Sequence, residues 1–189
     1  RAAFRHRARY YLELLRLPTY DARYLAKRLV VETPEVVAEA LGRPGGIVLV
    51  GLHFGSLEIP SLYVIQLSGR RVVAPMETIP DPALQAWFAR TRGALGVRLV
   101  GLKEARRELV AALGRGELVG AIADRDLTGG GVDTRLFGEP LPLPVGPALV
   151  AVETGAALYV GVARRVGRGR YRGRLERVPI PEEGRRRER

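Results

Sequence analysis

Short, nearly continuous apolar runs alternate along this chain with longer stretches in which apolar residues recur every three or four positions. The runs are IVLVGL (47–52), RRVVAPM (70–76), VRLVGL (97–102) and ELVGAIA (117–123). Their length and Val/Ile content predict strands buried on both faces. The stretches between them, about Ser56 to Leu67, 82–95 and 103–115, carry the helical period. A short helix over 34–42 precedes the first run, with Thr33 as N-cap and Pro34 at its first position. The GRPGG turn then leads into the strand. Beyond the fourth run, a helix over 146–154, a strand ALYVGVARR and an antiparallel strand YRGRLERVPI complete the pattern. This predicts an α/β fold: a single domain over 1–180 with a mostly parallel central sheet flanked by helices. Two segments fall outside it. DLTGGGVD reads as a Gly-rich loop and FGEPLPLPVG as irregular chain, while the basic tail 181–189 reads as disordered.

The N-terminal segment, about 1–17, predicts an amphipathic helix ending at Pro18. Phe4, Ala8, Tyr11, Leu12 and Leu15 fall at helical spacing, and Arg1, Arg5, Arg7, Arg9 and Arg16 line other faces. A cationic helix of this kind lies on a bilayer surface, or it packs its apolar stripe on its own domain. No run approaches eighteen consecutive apolar residues, so the sequence holds no membrane-spanning helix.

Composition narrows the chemistry. Cysteine is absent, which excludes disulfides, thiolate zinc sites and cysteine nucleophiles. His6 and His53 are the only histidines, too few for a histidine-rich metal cage. The net charge of +11, carried almost wholly by arginine, favours polyanions: nucleic acid, anionic lipid headgroups or a phosphate-bearing substrate. Compositional bias toward arginine is a second source of that charge. With 6% aromatic residues and no reading motif, a specific nucleic-acid binder is disfavoured.

Candidate chemistry gathers where strands end. His53 and Glu58, spaced His-x4-Glu, follow the first buried run. That places them at the carboxyl edge of the sheet, where ligands of open α/β folds bind. A neutral imidazole there can take a proton from a hydroxyl, and a carboxylate within reach would fix its tautomer. Asp124, Arg125 and Asp126 follow the fourth run in the same way, which makes Asp124 a candidate partner for His53. Two other readings stand beside it: a local ion pair with Arg125, or a divalent-metal site formed by Asp124 and Asp126 in a metal-dependent glycosyltransferase. The glycines 129–131 can offer backbone N–H groups to an anion, or serve as a flexible turn. Glu77 and Arg92 lie in METIPDPALQAWFARTRGALG, where an arginine can meet a phosphate through two hydrogen bonds. No G-x-S-x-G nucleophile elbow is present.

Four segments, in order, resemble the bacterial lipid A late-acyltransferase group and its actinobacterial relatives, the phosphatidylinositol mannoside acyltransferases: ARYYLELLRLP, VGLHFGSLEIP, METIPDPALQAWFARTRGALGVRLVGL and ADRDLTGGGVDTRLFGEPLPLPVGPALVAVETGAAL. The likeness spans about residues 8–160. It implies a glycerolipid-acyltransferase-like domain that moves an acyl group from acyl-CoA or an acyl carrier protein to a hydroxyl of a glycolipid or lysolipid, on an anionic membrane surface at the cytoplasmic face of the cell membrane. It implies His53 as base, Asp124 as its acid and Glu58 in support. It assigns donor contacts to Glu77, Arg92, Arg125, Glu153 and, through its backbone alone, Gly130. No cofactor or metal is implied beyond the acyl donor itself.

Overall fold

A computed structural model describes residues 2–181, so the basic tail lies outside the described residues save for Pro181. The chain opens with α1 (Ala2–Arg16), a 3-10 turn at Leu17–Thr19, α2 (Ala22–Arg28) and β1 (Leu29–Val31). Next come α3 (Pro34–Gly42), β2 (Ile47–Gly51), α4 (Glu58–Ser68), β3 (Val72–Met76), α5 (Pro82–Gly93), β4 (Val97–Gly101), α6 (Ala105–Gly114) and β5 (Leu118–Ile122). A hairpin of β6 (Val132–Leu136) and β7 (Glu139–Leu143) precedes α7 (Gly146–Thr154), β8 (Ala157–Gly167) and β9 (Arg170–Val178).

Seven strands form the central sheet in the order β1-β9-β8-β2-β5-β3-β4. From β8 to β4 all neighbours are parallel; β9 pairs antiparallel with β8, and β1 runs parallel to β9. The expected mostly parallel sheet is therefore present. Its two faces bury separate cores. Ile47, Val72, Val97, Leu118 and Tyr159 pack against α3 and α4 on one face. Val48, Val73, Val119 and Leu158 pack against α6 and α7 on the other. Alternate residues of one parallel strand thus serve both layers, which is why the runs are apolar throughout.

Helix α4 follows β2 onto one face, whereas α7 follows the neighbouring β5 onto the opposite face. Between two such strands the connections part and leave a crevice at their carboxyl ends, the switch point where ligands of open sheets bind.

Three parts of the chain differ from the sequence pattern. Residues 22–31 form α2 and edge strand β1, which carry no strong period of their own. Asp21 caps α2 by accepting the Tyr24 N–H at 2.7 Å. The Pro-rich segment is a β-hairpin rather than irregular chain. Pro140 and Pro142 alternate on β7 opposite Arg135 and Asp133, so the missing N–H groups fall on one side of the strand while Leu141 between them faces Thr134. Prolines belong on such an edge. The N-terminal stripe is also inverted. α1 buries Leu14, and the turn after it buries Leu17, whereas Phe4, Ala8, Tyr11, Leu12 and Leu15 face outward, Phe4 with 82% of its surface exposed. The helix is held this way round by Glu13, which takes three bonds from the buried Arg165 guanidinium, at 2.7 and 2.8 Å from Nη2 and 3.0 Å from Nε.

The hairpin turn carries an anomaly. Phe137 and Gly138 both have positive φ, 54° and 87°. Two-residue turns of this hand prefer Asn, Asp or Gly at both positions. Phe137 is 98% exposed and gains no burial to offset the strain. Phe137→Asn is expected to raise stability by about 1 kcal/mol, visible as a higher urea midpoint at unchanged slope.

Candidate active site

Register alone brings the two key residues together. Gly51 of β2 pairs with Ile122 of β5, and the Ala123 N–H still donates to Gly51 O at 3.0 Å beyond the strand ends. Two residues further along, His53 and Asp124 face each other across the crevice. Asp124 Oδ1 lies 2.7 Å from His53 Nδ1, and Oδ2 accepts the His53 backbone N–H at 2.9 Å. One carboxylate therefore fixes both the ring and the loop that carries it. With Nδ1–H donating to Asp124, Nε2 is the ring's free basic nitrogen, and among the described residues no hydrogen bond engages it. Burial opposes the Asp124 charge, but the hydrogen bonds from the His53 ring and backbone outweigh it and hold the carboxyl below the usual aspartate range.

The loop after His53 is pinned to β8. Gly55 bridges to Ala163, and the Ser56 N–H donates to Ala163 O at 3.2 Å. Gly55 has φ of 68°, and a Cβ there would stand 1.8 Å from Ala163 O, so only glycine fits. Ser56 itself is buried, and its hydroxyl has no partner among the described residues.

Glu58 does not reach His53. It opens α4, only 6% exposed, and accepts Arg92 Nη2 at 2.7 Å, Arg92 Nε at 3.3 Å and the Tyr10 hydroxyl at 3.2 Å. The second half of the His-x4-Glu spacing thus anchors α5 and α1 to α4. Burial works against the Arg92 charge, yet the adjacent Glu58 carboxylate more than compensates, and the guanidinium is held more basic than usual. Removing one member of a buried pair leaves the other charge uncompensated. Arg92→Met is therefore expected to lower unfolding free energy by about 3 kcal/mol, seen as an earlier urea midpoint. Glu58→Gln/Arg92→Met should lose less than the two single changes added together.

The other expected site residues are dispersed. Glu77 and Arg125 form an exposed ion pair with one another. Glu153 receives Arg106 Nε of α6 at 3.0 Å and does not line the central cavity. The Gly130 N–H donates to Asp126 Oδ2 at 3.0 Å. Asp126 in fact collects the N–H groups of Thr128, Gly129, Gly130 and Gly131, at 2.8–3.1 Å. The anion that the three glycines cradle is a side chain of their own loop. These backbone bonds, led by that of Gly131, hold the Asp126 carboxyl below its usual range. A metal site shared by Asp124 and Asp126 gains no support from this arrangement. Asp124 is committed to His53 and Asp126 to the loop, and no group of three or more His, Asp or Glu side chains suited to a metal occurs among the described residues.

A mainly apolar cavity of about 180 Å³ runs from this rim down between α4 and the sheet. Phe54, Glu58 and Arg92 line its outer end; Val64, Val72 and Val97, all nearly inaccessible, line the inner one. Sequence reading missed the cavity, although glycines inside the runs IVLVG, LVGAI and LYVGV mark where a sheet leaves room.

Fold and geometry together define an α/β protein with a hydrogen-bonded His–Asp pair at the switch point of its sheet. The family described as bacterial lipid A biosynthesis acyltransferase matches residues 1–175. The chain belongs to that family. It is 34% identical over 167 residues to a phosphatidylinositol mannoside acyltransferase of Mycobacterium tuberculosis (strain ATCC 25618 / H37Rv), covering 85% of this chain and 52% of the relative. A protein of the same name from Mycolicibacterium smegmatis is 32% identical over 163 residues, covering 84% of this chain and 53% of the relative. The chain thus spans about half the length of these curated relatives.

Proposed function

We propose that this domain transfers a fatty acyl group from acyl-CoA, or from an acyl carrier protein, to a hydroxyl of a glycolipid or lysolipid such as a phosphatidylinositol mannoside. The observation that carries the reading is the His53–Asp124 pair beside an apolar cavity that its neighbours Leu52, Phe54 and Ile122 line, in a chain of this family. His53 Nε2 accepts the proton of the acceptor hydroxyl as its oxygen attacks the thioester carbonyl. Asp124 holds the ring in the tautomer that leaves Nε2 basic and stabilises the imidazolium that forms. Collapse of the tetrahedral intermediate expels the thiolate, which takes the proton back from the imidazolium. The acyl chain lies in the cavity, which the neutralised Arg92–Glu58 pair also lines.

On this reading the reaction takes place at the cytoplasmic face of the membrane, where CoA and carrier-protein thioesters occur. No helix among the described residues is long and apolar enough to cross a membrane. What supports a peripheral contact is the outward face of α1, where Phe4, Leu12 and Leu15 stand exposed among Arg5, Arg9 and Arg16. The apolar, exposed tip at Leu136 and Phe137 leaves the chain between Asp124 and α7.

Incubation with labelled palmitoyl-CoA and a lipid extract, followed by mass identification of the product, tests the proposal. An acylated glycolipid or lysolipid is the expected product. Hydrolysis alone, or turnover that depends on Mn²⁺ or Mg²⁺ and a sugar nucleotide, would overturn it.

A further inference from the structure

The cavity lies where three glycines thin the side-chain cover on one face of the sheet. Leu49 and Gly51 of β2, Gly120 and Ile122 of β5, and Tyr159 of β8 share a face, as their registers Leu49↔Gly120, Gly51↔Ile122 and Leu49↔Tyr159 require. Gly161, two residues beyond Tyr159, points the same way. Gly51, Gly120 and Gly161 therefore lie on one face of three adjacent strands, under α4. All three line the cavity, and all three stay partly accessible in the middle of the sheet. Glycine in a strand interior forfeits packing and conformational entropy, and here three central strands each carry one. The cavity also follows a split in the sheet. β3 pairs with β5 only at Val72 and Val73, and Pro75, two residues on, has no N–H to extend the ladder.

A Cβ added at Gly120 would stand 3.0 Å from Val72 Cγ1, deep in the cavity. One at Gly51 would stand 3.1 Å from Ile122 Cδ1, and one at Gly161 3.1 Å from Leu175 Cδ1. In each case the nearest atom is a side-chain methyl, so a small side chain takes up cavity space once that methyl shifts by a few tenths of an ångström, with the backbone left in place. Gly120 and Val72 together bound the inner end; Gly51 lies nearer the rim, two residues from His53.

We propose that Gly120, backed by Val72, sets the length of acyl chain this protein accepts, with Gly51 and Gly161 keeping the path to it open. The inference rests on the acyl-transfer reading above and assigns selectivity to the floor of that site. A methyl group on Gly120 shortens the space available to the end of the chain. A smaller side chain at Val72 lengthens it. Each methylene that no longer fits should lower affinity by about fourfold, as methylene burial energies imply.

The test measures binding as well as turnover. Acyl-CoA donors from octanoyl to stearoyl are titrated calorimetrically into the wild-type chain, Gly120→Ala, Val72→Ala and the double variant, with urea midpoints recorded for each. Transfer rates to the lipid extract are followed in parallel. The expected result is a length optimum that moves to shorter chains in Gly120→Ala, to longer chains in Val72→Ala, and back toward wild type in the double variant. If Gly120→Ala weakens all donors equally, or if the wild-type chain binds every length alike, the floor does not select length and the proposal fails. If the optimum moves in binding while no variant, nor the wild type, transfers acyl groups, the selectivity floor stands and the acyl-transfer reading falls. Gly120→Ala that fails to fold is covered by Val72→Ala, whose optimum must still move upward.

Discussion

His53→Ala is expected to fold as the wild type does and to lose acyl transfer by roughly 10²–10⁴-fold, the usual contribution of a positioned general base. The imidazole is half exposed, so its removal empties no core. The backbone N–H at this position still donates to Asp124 in the variant, because that bond needs no side chain, and the loop keeps its place. What is lost is the one nitrogen free to accept the hydroxyl proton. Donor binding should persist, since the cavity is untouched. Initial rates with labelled palmitoyl-CoA, alongside calorimetric binding of the same donor, separate the two effects. Wild-type rates in this variant would remove His53 from the chemistry.

The second large effect is expected from Asp124→Asn, with a loss approaching 10⁴-fold, as in hydrolase triads whose aspartate becomes asparagine. The reason is specific to this geometry. Asp124 uses one oxygen for the ring and the other for the backbone N–H of the same residue. Asparagine has a single accepting oxygen. If that oxygen serves the backbone, the amide N–H faces Nδ1 and moves the ring proton onto Nε2, where it blocks the base. If it serves the ring, a backbone donor is left facing an amide donor. Asp124→Glu keeps both oxygens and should retain substantially more activity than Asp124→Asn; equal activities would show that the tautomer is not what Asp124 controls. The pH dependence has a definite sign. The folded-state value of Asp124 is depressed, so the stability that the pair contributes is present above the ordinary aspartate value and is lost only as pH falls below it. Protonation of Asp124 therefore does not set the acid limb of the rate profile at mildly acidic pH.

The dyad was legible in the sequence because it depends on few things. Two apolar runs end in polar residues, and parallel strands place their carboxyl ends on one rim. Neither the pairing of β2 with β5 nor its register is written in those runs, and the strand-edge argument and the family resemblance together selected Asp124 over Glu58. The buried position of Glu58 was not readable, since its partners Tyr10 and Arg92 are 48 and 34 residues away. The α1 stripe misled for a related reason. Five apolar residues at helical spacing mark a face without saying what it meets, and Leu14, which α1 does bury, falls off that stripe. The hairpin was hidden by Pro140 and Pro142, which count against a strand unless it is an edge.

Asp126 has a further consequence for how substrates meet the rim. A glycine-rich loop normally collapses onto an incoming anion, and ordering it draws on the energy of that encounter. Here the loop is already closed on its own carboxylate. The rim is therefore preorganised, and arrival of a donor need not freeze the loop. Loop closure is not expected to limit turnover, so transfer rates should be insensitive to solvent viscosity apart from diffusion of the lipid itself. The latch is made of a weak acid, and it releases only as the pH drops below the usual aspartate range.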